Sequence, residues 1–132
     1  MKEVVVAVDP GREKCGIAVV HKHEGVLYKA IVDTAQLMQS VGAAMADYAA
    51  GTVAMGSGTS SKKASAMLRT GNKEIEIVFI DEYRTTDAAR RRYWQENPPG
   101  GFKRLIPVSM LVPPVPVDDY AAVIIAEKYL SQ

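Results

Sequence analysis

The stretch "VVVAVDPGREKCGIAVV", residues 4–20, decides how the rest of this sequence is interpreted. Its first half is apolar and β-branched, which predicts a buried strand that ends on a carboxylate, Asp9. Pro10 and Gly11 favour a turn, and a second apolar strand follows at once. A carboxylate at the open end of a buried strand is unfavourable unless a turn, a basic side chain or a metal ion interacts with it.

The composition limits the class of protein. The chain of 132 residues has the size of one ordinary domain, and 48% hydrophobic residues are enough for a core. A net charge of +1 gives no overall preference for nucleic acid or membranes. The single cysteine, Cys15, excludes an internal disulfide, and no apolar run reaches the roughly 20 residues of a spanning helix. We therefore expect one cytoplasmic domain over residues 1–132 with no membrane partner.

The pattern of apolar residues predicts a definite order of elements. Strands are expected at residues 3–9, 15–22, 26–33, 52–56 and 75–81, and helices at 35–50, 61–72, 86–97 and 118–130. Thr34 is the predicted N-cap of the first helix, and Thr85 or Thr86 that of the third. Short connections make the first three strands an antiparallel meander, and helices separate the later strands. This order predicts an α/β fold with a mixed sheet and helices on both faces.

Residues 98–117 interrupt this pattern. They hold six of the seven prolines, so a regular helix or a central strand is excluded there. Their apolar residues indicate that the segment packs on the domain or contacts a partner, and long loops of this kind are often functional.

Acidic residues stand where predicted elements begin or end. Asp9 ends the first strand, the pair Asp81 and Glu82 ends the last one, and the pair Asp118 and Asp119 begins the last helix. The carboxyl ends of parallel strands meet at one edge of a sheet, where ligands bind. Carboxylates gathered there repel one another and need a cation, and oxygen ligands suit Mg²⁺ or Mn²⁺. Two such ions would form a site that cleaves phosphodiester bonds.

Four blocks of the sequence resemble, in order, the motifs of the YqgF/RuvC branch of the ribonuclease H-like superfamily. They are "AVDPGREKCGIAVV", "VAMGSGTSSK", "IVFIDEYRTTDAARR" and "VDDYAAVIIAEKYL". Members resemble Holliday-junction resolvases, and one group acts in maturation of small-subunit ribosomal RNA. The resemblance implies a ribonuclease H-like fold and a magnesium-dependent endonuclease whose partner is a DNA junction or a ribosomal RNA precursor. A homodimer and a monomer both remain open.

The same resemblance assigns the site residues. Asp9, Glu82 and Asp118 match the catalytic, metal-binding acids of the family, and Asp81 is expected to point away. Val115 stands where resolvases carry a fourth acid, so Asp119 is the remaining candidate for a fourth metal ligand.

Basic residues are expected to hold the nucleic-acid backbone. The candidates lie in the glycine-rich stretch, beside the late-strand acids, in the third helix and in the proline-rich segment: Lys62, Lys63, Arg84, Arg90, Arg91, Lys103 and Arg104. Arginine beside Tyr93 and Trp94 suits phosphate contact and base stacking. A solvated helix face and an ordinary strand–helix turn are the structural alternatives.

Each acid also has an ordinary structural interpretation. Residues 9–11 are typical of a turn, Asp118 of an N-cap, and Glu82 of a surface acid paired with Arg84. Their joint placement at one sheet edge favours a metal-dependent nuclease. One alternative is a non-catalytic nucleic-acid-binding or interaction module on the same fold. Another is half of an actin-like nucleotide-binding protein, which a chain of this length disfavours.

Overall fold

The computed structural model describes residues 3–132, which form one mixed sheet and four α-helices. The strands are β1 (Val4–Asp9), β2 (Lys14–His21), β3 (Gly25–Asp33), β4 (Thr52–Gly56) and β5 (Glu76–Ile80). The helices are α1 (Leu37–Asp47), α2 (Ser61–Gly71), α3 (Thr85–Glu96) and α4 (Asp118–Leu130). Short 3-10 helices cover Thr34–Gln36, Gly101–Leu105 and Val108–Met110. The predicted order of strands and α-helices is confirmed.

The sheet places the strands in the order β3-β2-β1-β4-β5. β1, β2 and β3 form the predicted antiparallel meander, whereas β4 runs parallel to both β1 and β5. The carboxyl ends of β1, β4 and β5 therefore share one edge of the sheet, the arrangement in which ligands bind beside strand ends. Asp9 stands at this edge, directly opposite Gly16 of β2.

Both faces of β1 are covered, which explains its unbroken apolar sequence. Val6 and Val8 pack in the core layer that contains residues of α1 and α2. Val5 and Ala7 pack on the other face, in the layer built by α4. All four side chains are fully buried, so the end of β1 that carries Asp9 is held on both sides.

Helix α3 lies outside α4 rather than on the sheet. Ala89 of α3 packs against Tyr120 and Ala121 of α4. Arg92 adds a bidentate ion pair to Glu127 of α4, with both N–O distances 2.9 Å. Arg92 therefore joins the two helices, while Arg90 and Arg91 remain exposed.

Two predicted caps are wrong. The Thr34 hydroxyl caps no helix, because it donates to the carbonyl oxygen of Gly11 at 2.9 Å and α1 begins only at Leu37. Arg84 occupies the N-cap position of α3 without a side-chain cap, and the Thr85 hydroxyl accepts a hydrogen bond from Lys128. Each threonine satisfies a distant group, an interaction that outweighs local capping.

Residues 98–117 form no regular helix or strand, as predicted, apart from their two 3-10 helices. The 3-10 helix Val108–Met110 packs against α3. Phe102, Leu105, Met110 and Val112 are each more than 70% exposed. None of the helices in residues 3–132 has the length and apolarity that crossing a bilayer requires.

Candidate functional site

Gly16 brings the start of α4 next to Asp9. A Cβ atom on Gly16 would occupy the position of the Asp118 carbonyl oxygen, so the helix touches the strand where a side chain is missing. Because Gly16 is also the cross-strand partner of Asp9, the first residues of α4 lie beside the end of β1. An isolated glycine inside a strand commonly marks such a close backbone approach.

Gly56 and Gly58 make room for Glu82. Glu82 follows β5 by two residues, and a Cβ atom on either glycine would overlap its carboxylate. Gly56 ends β4, the strand between β1 and β5, so the carboxylate lies across the end of the central strands. The glycine-rich stretch after β4 thus accommodates an acidic side chain, which its interpretation as an ordinary strand–helix turn did not anticipate.

The acids influence one another electrostatically. Burial, the negative charges of Glu82 and Asp118, and hydrogen bonding with Glu82 raise the pKa of Asp9 to about 7. Partial burial and the neighbouring charge of Asp119 raise the pKa of Asp118, while Lys14 lowers it. Side chains far apart in sequence therefore meet at this sheet edge, and the ionised forms of Asp9 and Asp118 are disfavoured there.

The donor set at this edge fits a hard divalent cation. Every candidate ligand is a carboxylate oxygen, which Mg²⁺ prefers, and a cation would relieve the repulsion that raises the pKa of Asp9. Within residues 3–132, however, no three acidic, histidine or cysteine side chains are already arranged to hold a metal ion. Joint coordination by Asp9, Glu82 and Asp118 therefore requires side-chain adjustment and stays a prediction.

The titration of Asp9 makes the stability of the fold depend on pH. Its ordinary pKa is 3.8 and its pKa in the folded protein is about 7, so folding favours the protonated form. This contribution to stability is complete below pH 4 and is lost as the pH rises towards 7. We expect Asp9→Asn, which stays neutral, to be more stable than wild type at pH 8, by at most about 4 kcal/mol.

Denaturant unfolding of both proteins between pH 4 and pH 8 measures this effect. The stability difference should shrink towards acidic pH, and magnesium at pH 8 should stabilise wild type but not Asp9→Asn. A stability difference independent of pH would show that Asp9 does not titrate as described.

Asp119, the candidate for a fourth metal ligand, forms an ion pair in this structure, and its role as a ligand stays a prediction. Its Oδ2 accepts a hydrogen bond from the Lys29 ammonium at 3.0 Å, and its Oδ1 accepts one from the backbone N–H of Tyr120. Lys29 also lies 4.3 Å from the centre of the Tyr120 ring. Partial burial opposes the charge of Lys29, but the carboxylate outweighs burial and raises the lysine pKa. Asp119 thus joins α4 to β3.

Asp81 and Glu82 are separated by the geometry of their loop. Asp81 is exposed, and its Oδ1 accepts the backbone N–H of Tyr83 at 2.9 Å. The Glu82 carboxylate instead lies against the glycines at the end of β4. Only Glu82 therefore faces the edge that carries Asp9, in agreement with the predicted orientation of the pair.

Lys128, in the last turn of α4, holds the loop that carries Asp81 and Glu82. Its ammonium donates to the carbonyl oxygens of Asp81 and Tyr83 and to the Thr85 hydroxyl, at 2.9 to 3.0 Å. Arg84, between these acceptors, has a left-handed backbone with φ of 58°. The conformation that presents Glu82 thus depends on a lysine 46 positions later in the chain.

The predicted backbone-binding residues are all exposed, but they lie on separate elements. Two lie in the first turn of α2, one in the loop after β5, two on α3 and two on a 3-10 helix: Lys62, Lys63, Arg84, Arg90, Arg91, Lys103 and Arg104. Arg84 packs over the Tyr83 ring, with 5.5 Å between the guanidinium carbon and the ring centre. Their common role in nucleic-acid binding stays a prediction.

Sequence reasoning missed several residues that shape the site. Gly16 carried a usable signal, because a lone glycine within an apolar strand indicates backbone contact. Lys14 and Lys128 carried none, since their partners come from distant parts of the chain.

Comparisons with known proteins identify the fold. The meander followed by parallel strands, with helices on both faces, is the ribonuclease H-like fold. RuvC of Thermus thermophilus is similar in structure, with a TM-score of 0.59, 15% sequence identity, and coverage of 93% of this chain and 90% of RuvC. The ethanolamine utilization protein EutJ of Carboxydothermus hydrogenoformans overlaps 67% of this chain and 40% of its own, with 15% identity and a TM-score of 0.43.

Comparison by sequence, in contrast to comparison by structure, identifies no related protein. No protein-family model matches the chain, and no curated protein sequence matches it. At 15% identity, the likeness to RuvC concerns the fold, so the activity has to be inferred from the site.

Proposed function

We propose that this chain is a divalent-metal-dependent nuclease that hydrolyses phosphodiester bonds in structured nucleic acid. One observation carries the proposal: acids from the end of β1, the loop after β5 and the start of α4 act on one another at a single sheet edge. Gly16, Gly56 and Gly58 provide the space in which these acids come together. An ordinary turn or N-cap does not require glycines at these positions. The resolvase-like fold and the resemblance of the sequence to the YqgF/RuvC branch support the same activity.

The acidic and basic residues of the site would have different roles in this reaction. Asp9, Glu82 and Asp118 would hold the cation, and their carboxylates would be ionised in its presence. Bound divalent ions supply an activated water and stabilise the leaving oxygen in such sites. Burial and the charge of Asp119 raise the pKa of Asp118, and Lys14 opposes this rise only in part. Arg84, exposed two residues after Glu82, would contact a phosphate beside the acids.

Cleavage assays test the proposal. Labelled four-way junction DNA and precursor ribosomal RNA are incubated with the protein and magnesium, and then with excess EDTA. We expect wild type to cut one of these substrates only with magnesium, and Asp9→Asn to cut neither. Cleavage by Asp9→Asn at the wild-type rate would contradict the assigned site. The preferred substrate separates a resolvase-like activity from ribosomal RNA processing.

A second candidate function is nucleic-acid binding without catalysis. It is favoured by the finding that residues 3–132 contain no ready set of three metal ligands. Under this alternative, calorimetry detects no magnesium binding and nucleic acid binds wild type and Asp9→Asn equally. Magnesium binding that Asp9→Asn abolishes would exclude it.

A further inference from the structure

A cavity of about 630 Å³ lies between α3 and the segment that follows the 3-10 helix Gly101–Leu105. Its walls contain both charged and apolar side chains: Arg90, Arg91, Trp94, Gln95, Val108 and Leu111. Asp87 and Ser109 complete the lining. None of the three proposed metal-binding acids borders this cavity, so it is separate from the candidate nuclease site. Its volume is within the range of small-ligand sites.

The charges of the cavity favour an anionic occupant. Arg90 and Arg91 are exposed, and neither forms an ion pair within residues 3–132, in contrast to Arg92. Asp87 contributes one negative charge, which leaves the lining with one net positive charge. Two adjacent guanidinium groups that no carboxylate engages are suited to phosphate, which arginine binds through paired hydrogen bonds.

The remaining wall of the cavity is apolar, and this favours an aromatic group in the occupant. Trp94 lies in the lining together with Val108 and Leu111. The Trp94 Nε1 is buried and has no hydrogen-bond partner among the described residues. This nitrogen is closed to solvent, so Trp94 can offer its ring, and not its N–H group, to an occupant of the cavity. A nucleobase presents a flat aromatic face that can stack on the indole ring.

The position of the cavity relates it to the proposed function. Glu82 lies three residues before the start of α3, and Trp94 lies nine residues further along this helix. The rise of an α-helix makes the second separation about 14 Å, a distance of a few nucleotides along a strand. A strand whose phosphate lies beside Glu82 can therefore extend along α3 to the cavity.

We infer that the cavity between α3 and residues 108–111 binds one unstacked nucleotide of a single-stranded segment, with its base against Trp94 and its phosphate at Arg90 and Arg91. The inference rests on the proposed function for the choice of a strand over a free nucleotide. It assigns the substrate class: nucleic acid with an unpaired nucleotide near the cleaved phosphate.

Intrinsic fluorescence tests the inference directly, because Trp94 is the sole tryptophan of the chain. Asp9→Asn protein in EDTA is titrated with short single-stranded DNA, with the same strand lacking its bases, and with a mononucleotide. We expect the complete strand to quench the fluorescence and to bind at least tenfold more tightly than either other probe. Equal quenching by the abasic strand or by the mononucleotide would overturn the inference.

Variants measured by fluorescence anisotropy of a labelled strand complete the test. Trp94→Leu should weaken binding by about 5-fold to 150-fold, the range expected for loss of one base–aromatic stack. The double variant Arg90→Gln, Arg91→Gln should bind more weakly and show a shallower salt dependence. Arg69→Gln, on α2 at the other face of the sheet, is a control for the loss of a surface arginine and should bind as wild type does. Unchanged affinity in both site variants would overturn the inference.

These measurements separate the inference from the proposed function. Quenching by the complete strand supports the nucleotide site whether or not wild type cleaves any substrate. Cleavage by wild type without quenching would refute the cavity assignment and leave the nuclease intact. A fluorescence change that depends on protein concentration alone would show that a second copy of the chain fills the cavity, which also overturns the inference.

Discussion

Replacement of Glu82 by glutamine should abolish magnesium-dependent cleavage, whereas replacement of Asp81 by asparagine should leave it nearly unchanged. The two acids are adjacent, yet only the Glu82 carboxylate lies against the glycines that end β4. Asp81 is exposed and accepts a backbone N–H within its own loop. The expected loss for Glu82→Gln is at least about a thousandfold, because a carboxylate that holds a catalytic cation is worth several kcal/mol.

Cleavage rates of both variants under single-turnover conditions measure this difference. Asp81→Asn is a matched control, since it removes the same charge one residue away. Circular dichroism and the unfolding midpoint establish that both variants fold. Loss of activity in Asp81→Asn alone would show that Asp81, and not Glu82, belongs to the site. Wild-type activity in both variants would show that neither acid takes part in cleavage.

Replacement of Gly16 by alanine should destabilise the protein strongly. The added methyl group would collide with the Asp118 carbonyl oxygen and crowd the backbone nitrogen of Asp119. A backbone obstacle cannot rotate away as a flexible side chain does, so β2 and α4 have to separate. We expect a loss of about 3 kcal/mol in the free energy of unfolding, the upper part of the range for overpacking, together with weaker magnesium binding.

Gly42 provides the control for this substitution. It lies within α1, and a Cβ atom placed on it meets no other atom within 4 Å. Gly42→Ala should therefore stabilise the protein by up to about 1 kcal/mol, since alanine favours a helix interior. Urea denaturation compares the two variants with wild type. Equal stability of Gly16→Ala and Gly42→Ala would contradict the close approach of α4 to β2.

Local patterns in the sequence were sufficient to predict the order of the elements. The apolar run before Asp9, the short turns and the proline content of residues 98–117 each reflect local constraints, and each has the predicted structure. The placement of Asp9 at a sheet edge follows from the same information, because a strand that ends on an acid presents that acid at its carboxyl end.

Interactions between residues that are distant in sequence determine the features of the structure that local patterns did not predict. Lys29 and Asp119 are 90 positions apart, and local patterns could not predict their ion pair. The helix caps failed for the same reason, since Thr34 and Thr85 interact with Gly11 and Lys128 rather than with the helix starts. The resemblance to the family predicted that Asp81 points away from Glu82, but the glycines that receive Glu82 lie at and after the end of a different strand, β4.

Helix α4 works as a spacer of fixed length. Its first residue, Asp118, rests on β2 beside Asp9, and its last turn reaches the loop of Glu82 through Lys128. An extra residue inserted between these two points would turn one of them by about 100° around the helix axis and break its contact. The number of residues between Asp118 and Lys128 is therefore constrained, because this one helix sets the distance between the end of β1 and the loop of Glu82.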